Sequence, residues 1–425
     1  MISTVATRRP RRVVARRIPP TRWLARGMSR GLILPALLLG GPASFAVVLA
    51  ANRHRLFYDF RGGLYDGGVA ILHGRSPYRV AFIAHQAAVL HHGGVAIGET
   101  AAHPFSVPLY PAFANLAVVP LSALPFAAAA AIYSIVSVAA MFGALTLLGV
   151  RDRRCHAMVL ISWPFLYGMF LGAIGPLLAL GAAAAWRWRR RTLIPAAALA
   201  TIIAAKLFPW PLAVWLLITR RWRAFAATLA LGAALTFGAW ALIGFHGLAS
   251  YPRMLADATA VQDGRADSVT TVLLVLGVSS RLAQAAALLT GLATLGLAAR
   301  LARRPDGGAR AFGLAIIACL LATPIVWDHY MVLLFVPIAL LSPRFSRLWA
   351  LPVITPTLIT LSYAAFPLAT RAAPHPASSL NSAFGWLLAE AILVLALAST
   401  PQQRAAWIVE LRGLARRPRA LGTVA

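Results

Sequence analysis

The chain has 425 residues, 60% of them hydrophobic and only 12% charged, with a mean hydropathy of +0.75, against roughly 25% charged residues in an ordinary soluble domain. That leaves too little polar side chain to clothe the two or three domains such a length would make in water, so a soluble globule is excluded. The net charge of +29 does not point to nucleic acid either, because the arginines come in short clusters between apolar runs, which is the pattern of membrane topology.

Residues 1–30 carry arginines from Arg8 to Arg30 and no acid, and residues 31–51 are almost purely apolar. About 20 apolar residues suffice for a spanning helix, and the positive-inside rule holds the basic start in the cytoplasm. A cleaved signal peptide is the alternative. Residues 52–104 then break the apolar pattern and form a first extracytoplasmic loop. Arginine clusters at 151–154, 187–191, 220–223, 300–310, 343–347 and 401–419 read as cytoplasmic turns. Between them, 156–186, 192–219 and 311–342 are long enough for helical hairpins. A single span at 224–245, an outer segment at 246–281, a returning span at 282–300 and a last pair at 348–366 and 383–399 complete the count.

The stretch 105–149 has the length of two spans where parity wants one. Either 105–122 lies on the outer surface or the 151–154 turn faces outward. The fold class expected is an all-α polytopic membrane protein with about twelve transmembrane helices. It would comprise a basic segment 1–30, a transmembrane domain 31–400 and a basic tail 401–425. The two basic ends read as lipid-headgroup contacts. Cys155 and Cys319 show no ligand spacing and are expected in the core. Trp163, Trp186, Trp188, Trp210, Trp215, Trp222 and Trp240 fall near span ends, where interface anchoring is expected.

Seven of the 11 acids (Asp59, Asp66, Glu99, Asp257, Asp263, Asp267 and Asp328) fall on the predicted outer side. The positive-inside rule barely constrains acids, so this bias indicates an external polar site. Lys206, in AAKLFPWPL, and His329, in PIVWDHYMVLL beside Trp327 and Asp328, sit where hairpins turn outward. Ionisable groups at membrane depth are costly and therefore functional candidates, unless they snorkel to the interface. The first loop reads FYDFRGGLYDGGVAILHGRSPY over 57–78. Asp59 is its candidate base, although Asp beside Gly also occurs in ordinary turns. Asp66 is seven residues on and would share a face with Asp59 in a regular helix, there to bind acceptor hydroxyls. A metal is the weaker alternative, and no obligatory metal or other cofactor is expected. Arg61, Arg75 and Arg79 are phosphate candidates. Tyr65, Tyr78 and Trp327 are placed either to stack on a sugar or to pack the loop.

These pieces occur in a telling order: a basic start and one span, an Asp-bearing loop ending GRSPY, then PLYPAFANLAVVPLSALPF, GMFLGAIGPLLAL, KLFPWPLAVWLLITRRWRA, SVTTVLLVLG and WDHYMVLLFVPIALL. Over residues 31–345 the chain resembles the membrane glycosyltransferases of family 87, the polyprenyl-phosphate-mannose-dependent alpha-mannosyltransferase group. The resemblance implies a GT-C fold with short extracytoplasmic loop helices and a donor sugar on a polyprenyl phosphate. It also implies that Asp59 is the catalytic aspartate of the first outer loop and that His329 lies near the donor phosphate. Where the family often has Gly-Gln this chain has Gly172-Ala173, and Tyr-Pro-Pro appears as Tyr110-Pro111-Ala112.

The residues fit that chemistry. A phosphate is already a good leaving group, so one base and a few cations suffice for an inverting displacement, with Lys206, His329 and the loop arginines as phosphate ligands. The acceptor would be a lipid or cell-wall glycan outside the cytoplasm. A transporter or flippase of lipid-linked sugars would instead collect ionisable groups near the midplane, and a scaffold would leave the Asp59 loop without a task.

Overall fold

The computed structural model describes residues 38–78, 110–262, 266–365, 377–400 and 403. The basic segment 1–30, the tail arginines, Arg79, Glu99 and Asp263 lie outside the described residues. Every regular element among those described is helical. Proline and glycine cut the apolar sequence into short pieces: Pro164, Pro176 and Pro211 each open a helix, where a missing N–H costs nothing.

α1 (Leu38–Ala51) leads into a helical turn Tyr58–Phe60, a π-turn Arg61–Tyr65 and α2 (Asp66–Leu72). Gly67 and Gly68 bring α2 so close to α3 (Ala112–Ser122) that a Cβ on either would overlap Asn115 or Ser122. Ser122 Oγ donates to the Tyr65 carbonyl at 2.9 Å, and Tyr65 Oη to the Leu124 carbonyl at 2.7 Å. Both ends of α3 therefore stay at the end of the molecule that holds Asp59, and its 11 residues reach only about 16 Å. Among the described residues of 105–149, α3 is thus too short to be a full span by itself, and a single long apolar helix follows it.

That helix, α4 (Phe126–Leu147), starts beside Phe57 and Phe60 and runs about 33 Å to the turn at Arg151. α5 (Arg153–Ile161) and α6 (Trp163–Leu171) return to Gly172, where the chain reverses into α7 (Gly175–Arg187) with 119° between α6 and α7. α8 (Leu193–Ala205) climbs to Lys206 and α9 (Pro211–Ile218) descends. Arg221 Nη1 then donates to the Arg189 carbonyl at 2.6 Å, joining the two lower turns. α10 (Trp222–Leu242) returns to His246, whose carbonyl accepts from Ser76 Oγ at 3.1 Å. α11 (Tyr251–Gln262) and α12 (Val269–Val275) follow before α13 (Ser280–Ala302) descends. α14 (Gly307–Leu321) climbs back, a 3-10 segment Asp328–Leu334 continues into α15 (Phe335–Leu341), and α16 (Leu351–Ala365) and α17 (Ala377–Ala398) close the order.

Among the described residues four helices are long and apolar enough to cross a membrane: α4, α10, α13 and Leu380–Ala398 of α17. A fifth span arises if α6 and α7 count as one bent passage. α14 is buried on every side from Arg310 to Leu321, as an apolar helix at the centre of a bundle must be. α10 is the opposite case, exposing Leu229, Leu231, Phe237 and Leu242, an apolar face that only lipid would solvate comfortably. The tryptophans divide differently from expectation. Trp222 is exposed at the foot of α10, but Trp215 and Trp240 are fully buried, because their large rings fill gaps between helices. Cys155 and Cys319 are buried and unbridged.

The arginine-bearing turns collect at the end opposite Asp59, and Asp152 ties two of them together. Its Oδ1 accepts from Arg154 N (3.0 Å), capping α5, while Oδ2 accepts from Arg154 Nη2 (2.8 Å) and Phe345 N (3.1 Å). Arg154's hydrogen bonds hold this carboxyl well below the usual carboxylate range. With the folded value depressed, its contribution is present above the ordinary value of about 3.9 and lost as pH falls below it. Thermal unfolding in detergent should show the wild-type midpoint dropping more steeply below about pH 4 than that of Asp152→Asn, and parallel curves would contradict this.

Candidate active site

Asp59 stands between two irregularities. Phe57, two residues before it, has φ 59, a left-handed conformation that a bulky side chain rarely adopts and that tends to cluster at functional sites. Its N–H is held by the Phe170 carbonyl at 2.7 Å. After Asp59 comes the π-turn, in which Asp66 N–H reaches back to the Arg61 carbonyl. A π-turn inserts one residue, so Asp66 is rotated by about 100° from the face a regular helix would share with Asp59. Gly62 and Gly63 are buried within this turn.

The seat of Asp59 is the α6–α7 reversal. Gly172 has φ 69, and a Cβ there would stand 2.5 Å from Phe60 Cβ and 3.1 Å from Phe57 Cδ1. Gly172→Ala should therefore cost about 2–4 kcal/mol, combining left-handed strain with overpacking, and should displace Asp59. Thermal unfolding in detergent checks this; a loss under about 0.5 kcal/mol, the size of an ordinary surface substitution, would refute it.

Three segments distant in sequence meet at Asp59. His329 is buried, with Nε2 3.5 Å from Asp59 Oδ2. Neither of its ring nitrogens makes a hydrogen bond among the described residues, an arrangement that a polar group of a substrate would relieve. Gly168 and Gly175 flank it, with the Gly168 Cβ position 3.4 Å from His329 Cβ and the Gly175 one 3.3 Å from the His329 carbonyl. Lys206, half-buried at the end of α8, places Nζ 3.4 Å from Tyr110 Oη, over the Tyr330 ring at 4.1 Å and over the Tyr110 ring at 4.7 Å. It lies within electrostatic range of both Asp59 and His329. Tyr330 in turn stacks on Phe208 and meets His329 edge-on at 4.6 Å.

Other predicted residues lie around this centre. Arg61 sits over the Phe126 ring at 4.9 Å. Tyr78 is buried in a second apolar cluster, stacked on Trp240 at 4.8 Å, with its hydroxyl donating to the Tyr110 carbonyl at 3.2 Å. It thus supports Tyr110 from behind. Asp328 is engaged by other partners: its carboxylate accepts from Trp386 on α17 and is within hydrogen-bonding reach of Trp163, Ser382 and Asp267. Trp327 is half-buried at the start of the 3-10 segment.

Sequence reasoning did not single out Tyr110, Tyr133 and Tyr330 as site residues, although all three come within electrostatic range of Asp59. Tyr330 had a signal available in its place beside His329, and Tyr110 in its Tyr-Pro context. Tyr133, which stacks on Phe60 at 4.3 Å from the middle of an apolar helix, had none.

No curated protein and no solved structure matches the chain. The model of one family, glycosyltransferase family 87, matches residues 109–324; Tyr110 and Lys206 lie inside that stretch, Asp59 and His329 outside it. A match over half the chain, on a helical protein with several helices long and apolar enough to cross a membrane among the described residues, makes it a member of glycosyltransferase family 87.

Proposed function

We propose that this membrane glycosyltransferase moves a hexose, mannose, from a polyprenyl-phosphate donor to a lipid or cell-envelope glycan acceptor, with inversion at the sugar C1. The observation that carries the reading is the convergence of Asp59, Lys206 and His329 from three separate stretches onto one end of the bundle. Asp59 takes the proton of the acceptor hydroxyl as its oxygen attacks C1. The bond from C1 to the phosphate oxygen breaks, and the polyprenyl phosphate leaves with its charge held by Lys206 and a hydrogen bond from His329. Tyr110 and Tyr330 keep the ammonium in place through their ring faces. Asp66 and Trp327 border the acceptor side, Arg61 is a further cation for the phosphate, and Asp328 and Tyr78 hold the site's walls.

We place the donor's lipid in the groove of about 480 Å³ lined by Ala46, Leu49, Ala50, Arg53 and Leu56, three residues short of Asp59. The alternation of the chain between two ends supports a GT-C fold of about twelve passages, the shorter apolar helices other than α3 crossing in a bilayer thinned around them. The arginine turns then lie in the cytoplasm with the N-terminus, and Asp59 faces the extracytoplasmic side of the cell membrane. Purified protein is to be given radiolabelled polyprenyl-phosphate mannose and a crude lipid-glycan acceptor. Label entering the acceptor with an inverted anomeric centre is the expected result. Label moving across vesicle membranes without any new glycosidic bond would favour a flippase.

A further inference from the structure

At the end opposite Asp59, the turns 188–192 and 219–221 carry arginines that no acid offsets among the described residues. Arg189 lies over the Trp186 ring at 3.9 Å and donates to the Trp186 carbonyl at 3.1 Å. Arg221 lies over the Trp215 ring at 5.0 Å and donates to the Arg189 carbonyl at 2.6 Å. Both are half-buried, and exposed Arg190 adjoins them. Among the described residues no carboxylate forms an ion pair with any of the three; the acids at this end, Asp152 and Asp306, are engaged by Arg154 and Arg310.

We infer that Arg189, Arg190 and Arg221 bind the phosphate of an anionic phospholipid. Burial and then the neighbouring guanidinium groups push the pKa of Arg189 and Arg221 down. Arginine does not give up its proton in a protein, so the repulsion is relieved by an anion, and the planar guanidinium fork suits phosphate oxygens. The surroundings select a lipid over a soluble ion. Leu193, Ile194 and Trp222 are exposed at the same turns, and above them α10 presents Leu229 and Phe237 outward. The cluster thus sits at the foot of an acyl-facing surface, at the depth of headgroups. The anion would join the α7–α8 and α9–α10 turns, which now share one hydrogen bond.

The test uses the full chain in a non-ionic detergent, titrated with phosphatidylglycerol, phosphatidylcholine or inorganic phosphate, with binding read by native mass spectrometry and thermal shift. Phosphatidylglycerol should bind saturably and raise the unfolding midpoint; the other two should not. The pair Arg189→Gln with Arg190→Gln should weaken phosphatidylglycerol by about 30-fold. Arg151→Gln with Arg153→Gln, which removes equal charge from the same end but from another turn, should leave affinity within about twofold, since exposed charges that do not touch the ligand are screened. Because Arg189 also holds Trp186, Arg190→Gln alone provides a variant without that structural contact and should weaken binding by about fivefold. Equal weakening by the two pairs, an unchanged affinity in Arg190→Gln, an equal response to phosphatidylcholine, or reproduction of the shift by inorganic phosphate would each overturn the inference.

Discussion

Asp59→Asn is expected to lower sugar transfer by about two to four orders of magnitude, the usual worth of a positioned general base. The amide matches the carboxylate in shape, so the packing of Phe60 on Tyr133 and of Phe57 against Gly172 should survive, and the unfolding midpoint should stay near that of wild type. The loss should fall on kcat with little change in the donor KM, because proton removal helps only as the acceptor oxygen attacks. Asp66→Asn serves as the comparison. The π-turn takes Asp66 off the Asp59 face, so this change should act mainly on the acceptor KM. Transfer by Asp59→Asn at more than about a tenth of the wild-type rate, less than the smallest loss usual for a general base, would remove Asp59 from the role of base.

Much of this site was legible because polar residues in a lipid-soluble chain are costly enough to require a reason. Asp59, Lys206 and His329 each interrupted an apolar or glycine-rich stretch, and each marked a turn. Cost alone does not say what a residue faces. Asp328 and His329 are adjacent, yet one is turned to Trp386 on α17 and the other to Asp59, a division set by packing of helices 58 residues apart. Tyrosines carry too little polar penalty to stand out, so Tyr133 read as core filling. The arginine clusters marked turns that meet in pairs, since the turns holding Arg189 and Arg221 touch, as do those holding Asp152 and Phe345. The hydropathy of 105–149 could not separate a short helix folded back on α2 from a true span, because that depends on Gly67 and Gly68 admitting Asn115 and Ser122. Irregular backbone is a tertiary property too: nothing local in Phe57 forecasts a positive φ, which the Phe170 carbonyl holds in place.

Lys206→Gln should reduce transfer by about 10²- to 10³-fold, the scale seen when one preorganised donor to a developing anion is removed. The reasoning starts from place. Nζ is held over Tyr330 at 4.1 Å and Tyr110 at 4.7 Å, so the charge is fixed before substrate arrives and costs no reorganisation when the phosphate departs. Because in the proposed reaction the leaving phosphate gains charge as the bond to C1 breaks, the ammonium would stabilise the transition state more than the bound donor, and kcat should fall further than KM rises. Unlabelled polyprenyl phosphate, which carries the full product charge, should lose potency as an inhibitor in the same variant. Lys206→Arg restores the charge but spreads it over a planar fork in place of a compact point charge, and should recover only part of the rate. Tyr330→Phe keeps the ring face and removes only the hydroxyl, so it should retain far more activity than Lys206→Gln. Full potency of polyprenyl phosphate against Lys206→Gln would place the phosphate elsewhere and leave Asp59 as a base without this cation as its partner.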